Sequence, residues 1–225
     1  MRVSRAPCLL PDPPTVTRWA FVSDIHGNRS ALSQVEAAAS TLGVERYVCL
    51  GDVIGRGDPD GCVQWVAEHA THALIGNRDV DYLERISPPL RDIVVGWLRE
   101  VRDSDFIASH GDKGLHRVLH SGGERDGFTR ATDLMAERGA RLWLFGHTHR
   151  ARAWEVVEGR AVGVDAERIE LDQQYRYIVN VGTAGLPLPG RGGPSFTVYD
   201  DDIGSLDLVP LKVNSRAPSL LPYSR

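Results

Sequence analysis

Cysteine is scarce. Cys8, Cys49 and Cys62 are the only three in 225 residues. The number is odd and no C-x-x-C pair occurs, which argues against a disulfide framework and for a reducing cytoplasm. No run approaches the roughly 18 apolar residues of a membrane span. The first fourteen residues carry Arg2 and Arg5 but no long apolar core, so a signal peptide is not expected either. Basic charge is not in excess. Lys and Arg number 26 against 30 Asp and Glu, a formal net charge of −4, and general nucleic-acid binding is therefore not expected. A small phosphorylated substrate remains compatible, because bound cations can invert the local field. Internal repeats and long low-complexity tracts are also lacking.

What is present suits one globular domain: 42% hydrophobic and 25% charged residues over a length able to bury a sizeable core. Pro7, Pro11, Pro13 and Pro14 mark an extended N-terminal arm over 1–17. The domain is expected over 18–212. A C-terminal tail over 213–225 shows no periodicity.

Leu142-Trp143-Leu144-Phe145 is a short apolar run without alternation, as expected of a strand covered on both faces. It stops at Gly146, and His147-Thr148-His149 follows. Imidazoles at the carboxyl end of a strand are candidate metal ligands, and ligands of open α/β folds bind at that edge. The same signature recurs upstream. Trp19–Val22 is a strand ending at Asp24-Ile25-His26-Gly27-Asn28. Tyr47–Leu50 ends at Gly51-Asp52, and Ala73–Ile75 ends at Gly76-Asn77-Arg78-Asp79. Helices are expected between them, over Ser30–Thr41 and from Asp58-Pro59-Asp60 onward. Strand–loop–helix alternation implies parallel βαβ units, whose polar strand ends would share one edge.

Elsewhere the pattern is looser. Residues 80–109 read as a helical, cap-like excursion broken at Pro88-Pro89. Leu115–Leu119 reads as a strand ending at His120, and Arg125–Arg138 as a helix. After His149, a hairpin turning at Glu158-Gly159 and strands at Tyr177–Val181, Ser195–Tyr199 and Leu206–Leu211 suggest a second sheet packed against the first. The acidic run Asp200-Asp201-Asp202 reads as a solvated hairpin turn. Cys49 and Cys62 read as core residues.

Taken in order, Asp24-x-His26, Gly51-Asp52, Gly76-Asn77, His120 and Gly146-His147-Thr148-His149 resemble the calcineurin-like metallophosphoesterase family over nearly the whole chain. Asp24–Asn28, Gly51–Gly57 and Val179–Pro187 are similar to its bacterial phosphodiesterase-type branch. The resemblance implies an α/β fold, a four-layer αββα sandwich of two mixed sheets flanked by helices. It also implies two divalent metal ions, Mn, Fe, Zn or Co. Asp24, His26 and His149 would hold one, Asn77, His120 and His147 the other, and Asp52 would bridge them. Two ions about 3.5–4 Å apart can ionise a shared water for in-line attack on phosphorus.

The expected activity is hydrolysis of phosphodiesters on a small substrate, with a nucleotide among the candidates. Dinucleoside polyphosphate hydrolysis, phosphomonoester hydrolysis and a non-catalytic scaffold of the same fold are the alternatives. His110-Gly111 matches the family's His-Gly dipeptide better than His120-Ser121, so His110 is the alternative ligand. Many relatives carry a His where this chain has Arg78. Arginine is a poor proton donor, and Arg78 is expected to bind substrate phosphate or to shape its loop. Asn28 is expected either to line the pocket or to cap the following helix.

Overall fold

The computed structural model describes residues 17–103, 106–111, 131–133 and 135–212. Alternation within single strands builds its layers, because successive side chains of a strand point to opposite faces. In β1 (Arg18–Val22), Ala20 and Val22 pack among helical residues, whereas Trp19 and Phe21 pack against a second sheet. In β6 (Leu142–Phe145), Leu142 and Leu144 join Trp19 and Phe21 between the sheets. Trp143 and Phe145 face outward, onto Ala131 and Met135 of a helical segment. Strands apolar on both faces thus produce helix, sheet, sheet and helix in succession, the four-layer order expected.

The helices on the first sheet are punctuated by sequence. α1 (Arg29–Thr41) starts where the Asn28 side chain accepts from Ala31 N, and it buries Ala31, Leu32, Val35 and Ala39 on one face. α2 (Pro59–His69) starts at Asp58, whose carboxylate accepts from Gly61 N, with Pro59 in its first turn. It buries Cys62, Val63, Trp65 and Val66. Burial pushes the Cys62 thiol up to about 12 and the Cys49 thiol higher still, so both stay protonated.

β2 (Arg46–Cys49) and β3 (Ala70–Ala73) run parallel to β1, while β11 (Ser195–Asp200) runs antiparallel on its other side. β12 (Ser205–Pro210) and β9 (Arg168–Glu170), a strand not anticipated, complete the first sheet in the order β3-β2-β1-β11-β12-β9. The second sheet contains β4 (Glu100–Asp103), β5 (Phe106–Ser109), β7 (Arg152–Val157), β8 (Arg160–Val164) and β10 (Arg176–Asn180), in the order β4-β5-β6-β10-β7-β8. The second half of the chain is therefore not a separate layer but contributes strands to both sheets. The Asp200–Asp202 segment lies where β11 turns into β12.

The 80–109 excursion is helical only in its first part. α3 (Asn77–Asp81), a 3-10 turn at Leu83–Arg85 and α4 (Pro88–Val95) give way to the antiparallel pair β4 and β5. Pro88 and Pro89 open α4 instead of breaking a helix, since a first-turn proline lacks an N–H that would have no intrahelical acceptor. β3 lies earlier than Ala73–Ile75. Leu74 bridges instead to Leu98. The expected strand at 115–119 and residues 125–130 of the expected helix lie outside the described residues. Among the described residues, no helix is long and apolar enough to cross a membrane.

Candidate metal centre

The carboxyl ends of β1, β2 and β3 in one sheet, and of β5 and β6 in the other, meet at one edge of the sandwich. Backbone hydrogen bonds tie their loops together: Asp24 N to Gly51 O (3.0 Å), His26 N to Asp52 O (2.9 Å) and Gly146 N to His110 O (3.0 Å). His147 N donates to Asp24 Oδ2 at 2.7 Å, which joins the two sheets' loops directly.

Two groups of potential ligands result. Asp24, His26 and His149 form one, and Asp52, His110 and His147 the other. Within the first, His149 Nε2 lies 3.2 Å from Asp24 Oδ1 and 3.3 Å from His26 Nε2. Within the second, His110 Nε2 lies 3.0 Å from His147 Nδ1, 3.3 Å from Asn77 Oδ1 and 3.4 Å from Asp52 Oδ1. The other oxygen of Asp52, Oδ2, faces the first group, 3.8 Å from His26 Nε2. One carboxylate thus presents one oxygen to each group.

The imidazole tautomers are set from behind. His149 Nδ1 donates to Leu186 O at 2.6 Å and His110 Nδ1 to Leu50 O at 2.8 Å. A carbonyl can only accept, so in the neutral rings both Nε2 atoms point lone pairs into the centre. His26 Nε2 faces one of these lone pairs at 3.3 Å and His147 Nδ1 the other at 3.0 Å, so each pair needs a proton or a cation between its nitrogens. Asp24 Oδ1 and His26 Nδ1 are also buried without a hydrogen-bond partner. The donor set, imidazoles with carboxylates and an amide oxygen, suits a borderline divalent cation such as Mn, Fe, Zn or Co. On these observations the residues fit a metal pair.

The carboxylates that would face a cation also favour the protonated imidazoles. Burial opposes charge on His110, yet Asp52 and Asp24 push its imidazole up to about 9. Burial opposes charge on His149 as well, and Asp24 nonetheless raises it. Burial likewise works against the Asp24 carboxylate, but His149 and His26 hold it well below the usual value. Metal binding at such a centre must release protons.

Backbone strain concentrates here. Asp24, His26, Asp52, His147 and His149 all have φ between 51° and 66°. This left-handed region is uncommon for residues with a Cβ and costs about 1–3 kcal/mol each. Among the described residues the only other non-glycine case is Glu158, in the β7–β8 turn. Nearby groups hold the conformation in place. Asp79, fully buried, accepts from the amides of Asp52, Val53, Ile54 and Gly76. Asn180 Nδ2 donates to Gly146 O and Thr148 Oγ1, and Thr183 Oγ1 donates to Asp24 O. A Cβ on Gly146 would stand 1.9 Å from Ser23 Oγ, and one on Gly76 would stand 2.2 Å from Asp52 Oδ1. Only glycine lets these loops approach so closely.

The structure brings Asp24, His26, Asp52, Asn77, His147 and His149 together. His120 lies outside the described residues, and His110 stands beside Asp52 and His147. Its signal was the apolar run Phe106–Ser109 ending at His110-Gly111, which repeats the pattern of β6. Asn28 caps α1 with its oxygen and donates through Nδ2 to Gly185 O at 3.0 Å. Arg78 places its backbone amide 2.7 Å from Asp52 Oδ1, while its guanidinium reaches Asp81 at 3.3 Å and lies over the Tyr82 ring. Asp79, Asn180 and Thr183 lie in segments singled out in the sequence, but their roles were not apparent there, since each acts mostly on groups distant in the chain.

Residues 18–202 match the model of the calcineurin-like phosphoesterase superfamily domain, and the chain belongs to that family. An uncharacterized protein of Methanocaldococcus jannaschii is 23% identical over 214 residues, covering 84% of this chain and 85% of its own. The crystal structure of a metallophosphoesterase from Sphaerobacter thermophilus superposes with a TM-score of 0.71 at 21% identity, over 89% of this chain and 90% of that one. An archaeal phosphodiesterase superposes with a TM-score of 0.54 at 16% identity, over 87% of this chain and all of that one (100%). At these identities the likenesses establish the fold.

Proposed function

We infer that the chain is a metal-dependent phosphoesterase that hydrolyses phosphodiesters. The observation that carries this reading is Asp52, whose two oxygens face two separate ligand groups. Divalent cations bound there would lower the pKa of a water to near neutrality and offset charge on the phosphate oxygens. Asp24, His26 and His149 would hold one cation, and His110, His147 and Asn77 the other. Leu186 O and Leu50 O keep His149 and His110 in the tautomer that can ligate.

The first group is buried, whereas Asn77 is exposed and His147 half-buried. Substrate would therefore approach from the Asn77 side. Arg78 replaces an acid able to protonate a leaving group, and its guanidinium engages Asp81 and Tyr82. That arrangement favours leaving groups that depart as stable anions, such as phenolates or phosphates.

The test is metal analysis followed by hydrolysis of bis-p-nitrophenyl phosphate after reconstitution with Mn, Zn, Co or Fe. Expected are two metal ions per chain and turnover that Asp52→Asn abolishes. A fully loaded protein without activity would overturn the reading and favour a scaffold.

A further inference from the structure

Immediately beyond His149 the chain places three arginines around one cavity. Arg150, Arg152 and Arg191 line a space of about 340 Å³ together with Thr148, Trp154 and the Pro189-Gly190 turn. The same arginines line a neighbouring cavity of about 710 Å³ that runs toward Gly163 and Ser195.

Each arginine is held differently. Arg191 Nη1 donates to Thr148 O at 2.7 Å, so it grips the residue between the two candidate ligands His147 and His149. Arg152 lies over the Trp154 ring at 5.2 Å, and its guanidinium passes Gly163, where a Cβ would stand 3.0 Å from Nη2. Arg150 is exposed, directly follows His149, and makes no hydrogen bond among the described residues. None of the three pairs with a carboxylate among the described residues. Asp165 and Glu167 line the larger cavity but not the smaller one. Unneutralised guanidinium groups converging on a cavity form an anion site, and their planar forks match phosphate oxygens.

We propose that Arg150, Arg152 and Arg191 form a second phosphate subsite beside the metal centre, which takes a phosphate of the substrate other than the one hydrolysed. The substrate class is then an ester or anhydride that carries at least one further phosphate on the arm leading toward β7, as nucleoside polyphosphates do. Arg78 agrees independently, since a phosphate leaving group needs little protonation. The proposal rests on the phosphoesterase reading only for the identity of the scissile bond.

The experiment uses the full chain freed of metal by a chelator, with inorganic tripolyphosphate as the probe and calorimetry as the readout. Binding is expected, weakened about tenfold or more in Arg150→Ala/Arg152→Ala. The remote Arg46→Ala/Arg102→Ala, which changes net charge equally, should cause little loss. Arg150→Lys/Arg152→Lys should retain part of the affinity. Arg150→Ala alone, at an exposed position, gives a smaller loss and guards against misfolding of the double variant.

No binding to the native chain, or equal loss in the remote variant, overturns the proposal. Tripolyphosphate binding through the arginines without diester hydrolysis by the metal-loaded protein would keep the subsite and remove the hydrolase reading. Diester hydrolysis without tripolyphosphate binding would do the reverse.

Discussion

Asp79 lies behind Asp52 and takes the amide hydrogen of Asp52 itself on Oδ2 at 2.9 Å. Its Oδ1 receives Val53 N at 2.8 Å and Ile54 N at 2.9 Å, and Oδ2 also receives Gly76 N at 2.8 Å. The carboxylate therefore fixes the left-handed turn that aims Asp52 into the centre. Asp79→Asn keeps the shape but turns an NH2 group toward amide donors. A buried acceptor lost this way costs about 1–3 kcal/mol, more when charged. The expected result is a urea midpoint lowered by the equivalent of about 2–4 kcal/mol, with the slope unchanged. Metal affinity should fall about 10–100-fold, as for other groups that orient ligands. An unchanged midpoint and affinity would show that the turn holds itself.

His110 and His120 make separable predictions. His110→Ala removes an Nε2 that stands 3.0 Å from His147 and 3.4 Å from Asp52. The expected outcome is loss of one of the two bound metals by elemental analysis, together with loss of diesterase activity. His120→Ala should retain both metals. The opposite result would return the ligand role to His120.

β1 and β2 were legible because each carries a short apolar run that leads into a glycine or an acid, whereas β3, Ala70–Ala73, holds Thr71 and His72 and lies earlier than its apolar signal at Ala73–Ile75. The family motifs fall on those ends. The β4–β5 pair was missed because Trp97, Leu98 and Val101 imitate a helical stripe, although Phe106–Ser109 repeats the apolar run of β6. The assignment of strands to sheets also escaped the sequence. β11 inserts beside β1 across some 180 positions, pairing Arg18 with Asp200, and no local pattern encodes such a partner. In the site, the family resemblance pointed to Asp24, His26, Asp52, Asn77, His147 and His149, which the fold brings to one edge, whereas His110 entered only as the alternative to His120. The roles of Asp79, Asn180 and Thr183 were not legible, because most of their partners lie on other loops of the chain.

Removal of divalent cations should destabilise the fold itself. Without them, facing imidazole nitrogens and buried carboxylates must be neutralised by protons, and five left-handed turns lose their common anchor. Ligand linkage at a hundredfold excess over Kd contributes about 2.7 kcal/mol per site. For a chain of this size each kcal/mol moves the thermal midpoint by about 2–4 °C. A chelator is therefore expected to lower Tm by about 5–10 °C per site, and re-addition of Mn or Zn should restore it. A Tm indifferent to chelator would count against metal binding at these residues.

Acid sensitivity should have a contribution far from the centre, at the junction of β1 and β11. Arg18 Nε donates to Asp200 Oδ2 at 2.6 Å, and Asp200 also accepts from the amides of Asp202 and Ile203. Burial raises the Asp200 carboxyl, but Arg18 and those amides outweigh it and hold the group below its usual 3.8. A depressed folded value means that the unfolded chain binds the proton first. The stabilisation is therefore complete above 3.8 and is lost as pH falls through the lower folded value. Arg18 is 43% exposed on its side chain, so water screens the pair and its share is about 1 kcal/mol or less. Asp200→Asn should flatten the acid limb of a stability–pH curve measured by urea denaturation, and Arg18→Ala should flatten it in part. At neutral pH both variants should be less stable than the native chain. An acid limb identical in all three proteins would remove this pair from the account of acid unfolding.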